Sequence, residues 1–109
     1  MGTEKKLLFI IFGATGDLTQ RKLLPAIMTL EKKKEISESF HVIALGRRSY
    51  DQRSYMSYLK QENNQRFQAL ENKITYISMD FNEEQGYQNL KETVKKFANK
   101  DTRQLYYLA

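Results

Sequence analysis

Cysteine is absent from the 109 residues of this chain. Its absence excludes a disulfide framework and any thiolate metal site, and fits a cytoplasmic protein. Histidine occurs once, as His41. A single imidazole cannot build a metal site, so His41 is expected to be structural or solvated, and no metal is expected. No apolar run approaches the roughly eighteen residues that a membrane span requires, so no membrane partner is expected. The opening "MGTEKKLLFI" carries basic residues, but its apolar stretch leads into a turn without a cleavage signature. It reads as a strand and not as a signal peptide. Proline occurs once, at Pro25, within twelve residues of the glycine pair Gly13 and Gly16.

What remains is 40% hydrophobic and 28% charged residues, the balance of a soluble globular chain. The length suits one small domain, residues 1–109. A net charge of +5 serves solubility, or it attracts an anionic ligand such as nucleic acid or a phosphorylated small molecule. The densest basic run, "EKKKE", is bracketed by acids and reads as a solvated helix end. A nucleic-acid surface requires basic residues interleaved with stacking aromatics. The tyrosines here fall instead on predicted strands and helix faces, where core packing accounts for them, so no nucleic-acid partner is expected.

Hydrophobic periodicity alternates along the chain. "KLLFIIF", "HVIALG", "ITYISMD" and "QLYYLA" are short apolar runs of the kind found in strands covered on both faces. Between them, "DLTQRKLLPAIMTLEKKKE" places Leu23, Ile27 and Leu30 on one helical face, with Leu24 and Met28 beside them. "DQRSYMSYLKQENNQRFQAL" predicts a polar helix over 51–70 with Met56, Leu59, Phe67 and Leu70 as its buried stripe. "EEQGYQNLKETVKKFANK" sets Leu90, Val94, Phe97 and Ala98 at i, i+4, i+7 and i+8. The resulting β-α-β-α-β-α-β order implies parallel strands joined by right-handed crossovers. The expected architecture is α/β: a partial doubly wound, Rossmann-like parallel sheet of order 3-2-1-4 with helices on both faces.

The turn after the first run, "FGATGDLTQRKLLPA", carries the chemistry. Gly13 permits backbone angles that a side chain forbids. Gly16 lets a pyrophosphate approach the main chain, whose amides at the start of the next helix attract phosphate. Thr15 offers a hydroxyl to a phosphate oxygen or to the helix as a cap. The usual G-x-G-x-x-G fingerprint is not met, since Thr19 stands where a later glycine falls. Asp17 would repel phosphate, but it lies four residues before Arg21 and is expected to tie down the turn through that pair. Pro25 removes the amide bond to the Arg21 carbonyl and is expected to bend the helix, at about 3 kcal/mol in an ordinary interior. The second strand ends "ALGRRS". NAD-preferring sites place an acid there for the ribose 2′-hydroxyl. Arg47 and Arg48 instead suit a 2′-phosphate, which argues for NADP. Asp80 and Phe81, at the end of the third strand, are expected near the adenine.

"GATGDLTQRKLLPA", "LEKKKEI", "VIALGRRSYDQRSY" and the terminal "LYYLA" together resemble the glucose-6-phosphate 1-dehydrogenase family. The resemblance runs from Phe9 to the last residue. It implies oxidation of glucose 6-phosphate to 6-phosphogluconolactone with NADP as cofactor, in the oxidative pentose phosphate pathway. It also implies cofactor contacts from Gly13, Ala14, Thr15, Gly16, Asp17, Leu18, Thr19 and Gln20, with Arg47 on the 2′-phosphate and Arg48 beside it. Lys22 would lie towards the sugar phosphate. The family's catalytic His-Asp pair belongs to a second domain, and His41 does not match it, so no catalytic residue is expected here and the chain is expected to be inactive by itself. A homo-oligomer is expected for the full-length protein. A non-enzymatic nucleotide-binding or sensor module of the same fold is the alternative. In the order 3-2-1-4 the last strand presents an apolar edge, so self-association is expected, and NADP affinity is expected to be weaker than in an intact enzyme.

Overall fold

The computed structural model describes residues 6–33 and 40–108. Four strands form the sheet: β1 (Leu7–Phe12), β2 (Phe40–Gly46), β3 (Ile74–Ser78) and β4 (Arg103–Leu108). All pairings are parallel and the order is β3-β2-β1-β4, as the alternating pattern predicts. Leu7 lies opposite Phe40 on one side and Arg103 on the other.

Side chains alternate between the two faces of a strand, so the runs of β1, β2 and β3 serve two cores, whereas β4 adds only Leu105 and Tyr107, to one of them. Phe9, Ile11, Val42, Ala44, Ile74 and Tyr76 face one way. They are covered by Leu24 and Ile27 of α1 (Leu24–Lys32), by Tyr55, Met56 and Leu59 of α2 (Gln52–Glu62), and by Phe67 and Leu70. Leu8, Ile10, Ile43 and Leu45 face the other way, against Met79 and against Leu90, Val94 and Phe97 of α3 (Glu84–Phe97). Burial of each such side chain contributes about 1.5–3 kcal/mol. Helices therefore cover both faces, and the strands' near-continuous apolar character follows from that.

Two helices depart from the sequence expectation. The segment after the glycine turn does not run as one α-helix through Pro25. Thr19–Leu23 form a π-helical turn, in which the Leu24 amide donates to the Thr19 carbonyl. α1 then starts at Leu24 with Pro25 in its first turn. Pro25 has no amide to donate back to the π-helical turn, and the ring follows directly on that turn. The extra residue of the wide turn takes up the interruption. Lys34 and Glu35, the end of the predicted helix, lie outside the described residues.

α2 ends at Glu62, not at residue 70. Asn64 and Gln65 are left-handed, with φ 52° and 65°. The Gln65 amide donates to the Lys60 carbonyl at 2.7 Å, the bond that closes many helix C-termini. The chain continues as a 3-10 turn over Gln68–Lys73. The expected stripe is nonetheless buried: Met56, Leu59, Phe67 and Leu70 all belong to the core. At its other end α2 opens with a capping box, Asp51 accepting from the Ser54 amide at 2.8 Å and Ser54 Oγ accepting from the Asp51 amide at 2.9 Å.

Candidate dinucleotide-binding site

The site lies at the carboxyl ends of β1, β2 and β3, where an open parallel sheet holds ligands. Gly13 leaves β1 with φ 119°, a conformation closed to most side chains. That angle folds the chain back so that the Gly13 and Ala14 amides both donate to the Leu45 carbonyl at 2.8 Å. The Gly16 amide donates to the Gly13 carbonyl at 3.0 Å. Thr19, fully buried, donates its hydroxyl to that same carbonyl at 2.6 Å. Three amides of the turn are thus spent on holding it, and Ala14 and Thr19 shape it from within. The amides of Asp17 and Leu18, at the start of the helical segment, have no intrahelical carbonyl to reach and carry the partial positive charge of the helix end. The Thr15 hydroxyl makes no hydrogen bond among the described residues, so it does not cap the helix.

Asp17 pairs with Arg21 at 3.2 Å, the contact that the i, i+4 spacing predicts. Both side chains are exposed, so the pair contributes only a few tenths of a kcal/mol. Lys22 and Leu18 are exposed. Gln20 turns inward: its side-chain amide donates to the Thr15 carbonyl at 3.0 Å and to the Tyr58 hydroxyl at 3.2 Å. Its carbonyl oxygen accepts from Asn63 at 3.0 Å.

At the end of β2 the two arginines part company. Arg47 lies over the Phe81 ring, 5.8 Å from its centroid, and Phe81 meets Phe12 edge-on at 5.7 Å. Arg47 and Asp80 line one cleft of about 410 Å³, together with Ser78, Asn82, Glu83 and Asn89. Arg48 lies over the Tyr58 ring at 5.3 Å and donates to the Tyr50 hydroxyl at 3.2 Å. That hydrogen bond raises the arginine's pKa above its ordinary value, so its charge is permanent. Tyr76 donates to the Arg48 carbonyl at 2.6 Å, and Tyr55 donates to the Ala14 carbonyl at 3.0 Å. These two rings stack at 4.5 Å. Burial raises the pKa of both phenols, so each remains a donor to the backbone it holds.

The structure therefore brings Thr15, Gly16, Asp17 and Leu18 to the mouth of one helix. It brings Arg47, from the end of β2, to Asp80 and Phe81 beyond the end of β3, and lays Arg48 over Tyr58 of α2. Tyr58, Asn63 and Tyr50 were not singled out in the sequence. The reading of the tyrosines as core residues holds for Tyr55 and Tyr76, but Tyr58 is only half-buried and carries its hydroxyl to Gln20. Two arginines, the unpaired amides at the helix mouth and the Phe81 and Tyr58 rings offer groups that an anionic, aromatic ligand could use.

A family model described as "Glucose-6-phosphate dehydrogenase, NAD binding domain" matches residues 10–109. This chain belongs to that family. Among curated relatives of the glucose-6-phosphate dehydrogenases, the glucose-6-phosphate 1-dehydrogenase of Borreliella burgdorferi is 33% identical over 105 residues, covering 92% of this chain and 21% of that protein. The enzyme of the same name from Bacillus subtilis is 47% identical over 47 residues, covering 43% of this chain and 10% of that protein. A solved glucose-6-phosphate dehydrogenase in complex with its substrate glucose-6-phosphate superposes with a TM-score of 0.76 at 25% identity, covering 100% of this chain and 25% of that one. The chain thus spans about a fifth to a quarter of the glucose-6-phosphate dehydrogenases it matches over most of its length.

Proposed function

We propose that this chain is the NADP-binding portion of an oxidoreductase that converts glucose 6-phosphate to 6-phosphogluconolactone. The observation that carries the cofactor assignment is the pair Arg47 and Arg48 at the end of β2, where an acid would select NAD. NADP, when bound, supplies the nicotinamide that accepts hydride. The amides of Asp17 and Leu18 would face the diphosphate, and Gly16 with Thr15 would line its approach. Arg47 would take the 2′-phosphate through its guanidinium fork, with the Phe81 ring behind it and Arg48 beside it on the same phosphate. Asp80 and Phe81 would border the adenine. Lys22, exposed one residue after the Asp17-paired Arg21, would lie towards the sugar phosphate. Ala14, Thr19 and Gln20 support the turn that carries these contacts.

No catalytic residue is assigned to this chain. It binds cofactor without turning over substrate; the hydride would pass from the sugar to the nicotinamide, and the group that takes the proton would lie outside this chain. The family match supports this reading over a sensor module. A cytoplasmic, homo-oligomeric parent that takes glucose 6-phosphate and needs neither membrane nor nucleic acid completes the proposal. Among the described residues, no helix is long and apolar enough to cross a membrane.

Titration of NADP and NAD by calorimetry tests the assignment. Wild type binds NADP more tightly than NAD. Arg47→Ala lowers NADP affinity by about 10- to 100-fold, the worth of a charge-assisted hydrogen-bonded pair, and leaves NAD nearly unchanged. An NADP preference that survives this substitution defeats the 2′-phosphate assignment.

A further inference from the structure

Arg48 and the glycine turn lie on different elements, yet a continuous set of side-chain contacts joins them. The Arg48 guanidinium lies over the Tyr58 ring at 5.3 Å. The Tyr58 hydroxyl accepts from Gln20 Nε2 at 3.2 Å. That same nitrogen donates to the Thr15 carbonyl at 3.0 Å. Asn63, which closes α2 by donating to the Leu59 carbonyl at 2.8 Å, also donates to Gln20 Oε1 at 3.0 Å. Gln20 thus has both amide protons and its carbonyl engaged. Its orientation is fixed by α2 from one side and by the turn from the other.

Two things follow from this arrangement. A guanidinium resting on an aromatic ring loses one face to the ring, and Arg48, with Nη1 donating to the Tyr50 hydroxyl, keeps its remaining in-plane N–H groups for an anion. A turn whose Thr15 carbonyl is tied down presents the amides that follow it in one conformation. We infer that Tyr58 is a positioning residue for the dinucleotide: its ring aims Arg48 at the 2′-phosphate, and its hydroxyl, through Gln20, holds the diphosphate turn. The inference rests on the NADP reading above and deepens it. Tyr58 touches neither phosphate group. It couples the two subsites, so an anion held at one finds the other already formed.

The ring and the hydroxyl are separable by substitution. Tyr58→Phe keeps the ring under Arg48 and removes the acceptor for Gln20. It weakens NADP and NAD alike, by about two- to fivefold, and leaves their ratio unchanged. Tyr58→Ala removes both features. It lowers the NADP-over-NAD preference by about two- to fivefold beyond the Phe variant, the worth of an exposed cation–π contact. In the Arg48→Ala background the ring contributes nothing further to that preference, so the effects of Arg48→Ala and Tyr58→Ala on it are not additive. All five proteins are measured at a temperature below their unfolding transitions, read on the same samples by circular dichroism. A purely structural role would lower the melting temperature without moving the ratio of the two cofactors. An unchanged ratio in Tyr58→Ala, with wild type preferring NADP, overturns the positioning role and leaves the NADP reading standing. A wild type that binds no NADP overturns both.

Discussion

His41 is a residue whose chemistry is set by its neighbours and not by its type. It lies on β2, stacked on Phe97 with ring centroids 3.9 Å apart, and Nε2 meets Thr75 Oγ1 at 2.7 Å. Burial, with a smaller contribution from the Lys73 charge, lowers its pKa from 6.5 to about 4. The folded protein therefore holds the imidazole neutral while the unfolded chain protonates it near pH 6.5. Between these values the unfolded state binds more protons, so stability falls as pH drops from 6.5 to about 4 and levels off below. Partial exposure to solvent scales the loss down to about 1–2 kcal/mol. Urea midpoints at pH 7 and pH 4.5 read this directly, and His41→Phe, which keeps the stack on Phe97, flattens the difference. An equal slope in the variant would assign the acid sensitivity to other groups. The sequence left His41 as either structural or solvated, and the structure gives the former; the stack depends on a residue 56 positions away (97 minus 41) and has no local signal.

Elements were legible in the sequence where their signal is local. The four apolar runs gave strands of the expected order; β1, β2 and β3 are covered as their apolar character predicts, but β4, with Tyr106 and Leu108 exposed, is not. The Asp17–Arg21 pair was legible for the same reason, being a matter of helical spacing. Helix ends were not. Nothing in periodicity places a left-handed pair at Asn64 and Gln65, and Phe67 and Leu70 kept the helical spacing while leaving the helix. The π-helical turn before Pro25 also escaped, since it depends on how the chain leaves a tightly hydrogen-bonded glycine turn. The arginine pair was legible as charge, whereas its division between Phe81 and Tyr58 required the third strand and α2 to be in place.

α3 supplies a test at this scale. Gly86, in its first turn, is buried, and a Cβ there would stand 2.8 Å from Met79 Cβ and 2.9 Å from Met79 Cε. The first of these atoms is anchored to the backbone and cannot swing aside. Gly86→Ala therefore destabilises the fold by about 1–3 kcal/mol despite the higher helix propensity of alanine. The reading is a lower urea midpoint at an unchanged slope. A stabilised variant would show that β3 and α3 can separate freely.

For the molecule as a whole, the two borders of the sheet are unlike. On β3, α2 reaches over the border: Gln52 Nε2 donates to the Ile74 carbonyl at 2.6 Å, and Gln52 Oε1 accepts from the Tyr76 amide at 2.8 Å. On β4, which pairs with β1 alone, Tyr106 is 57% and Leu108 83% exposed. An uncovered strand of this kind invites pairing with another. We expect this chain to associate through β4 at micromolar to millimolar concentration, read by sedimentation velocity over a concentration series. Leu108→Lys, which puts a charge on the border, shifts the distribution to monomer. A single monomer species at all concentrations would count against it.

The Gln52 carboxamide occupies one carbonyl and one amide that a fifth strand would use, those of Ile74 and Tyr76, and so hinders addition at that border. A sheet with one open border can join only to its own kind about a two-fold axis, and growth stops at a pair. If the chain pairs through β4, freeing the second border with Gln52→Ala is expected to let the pairs grow into longer assemblies.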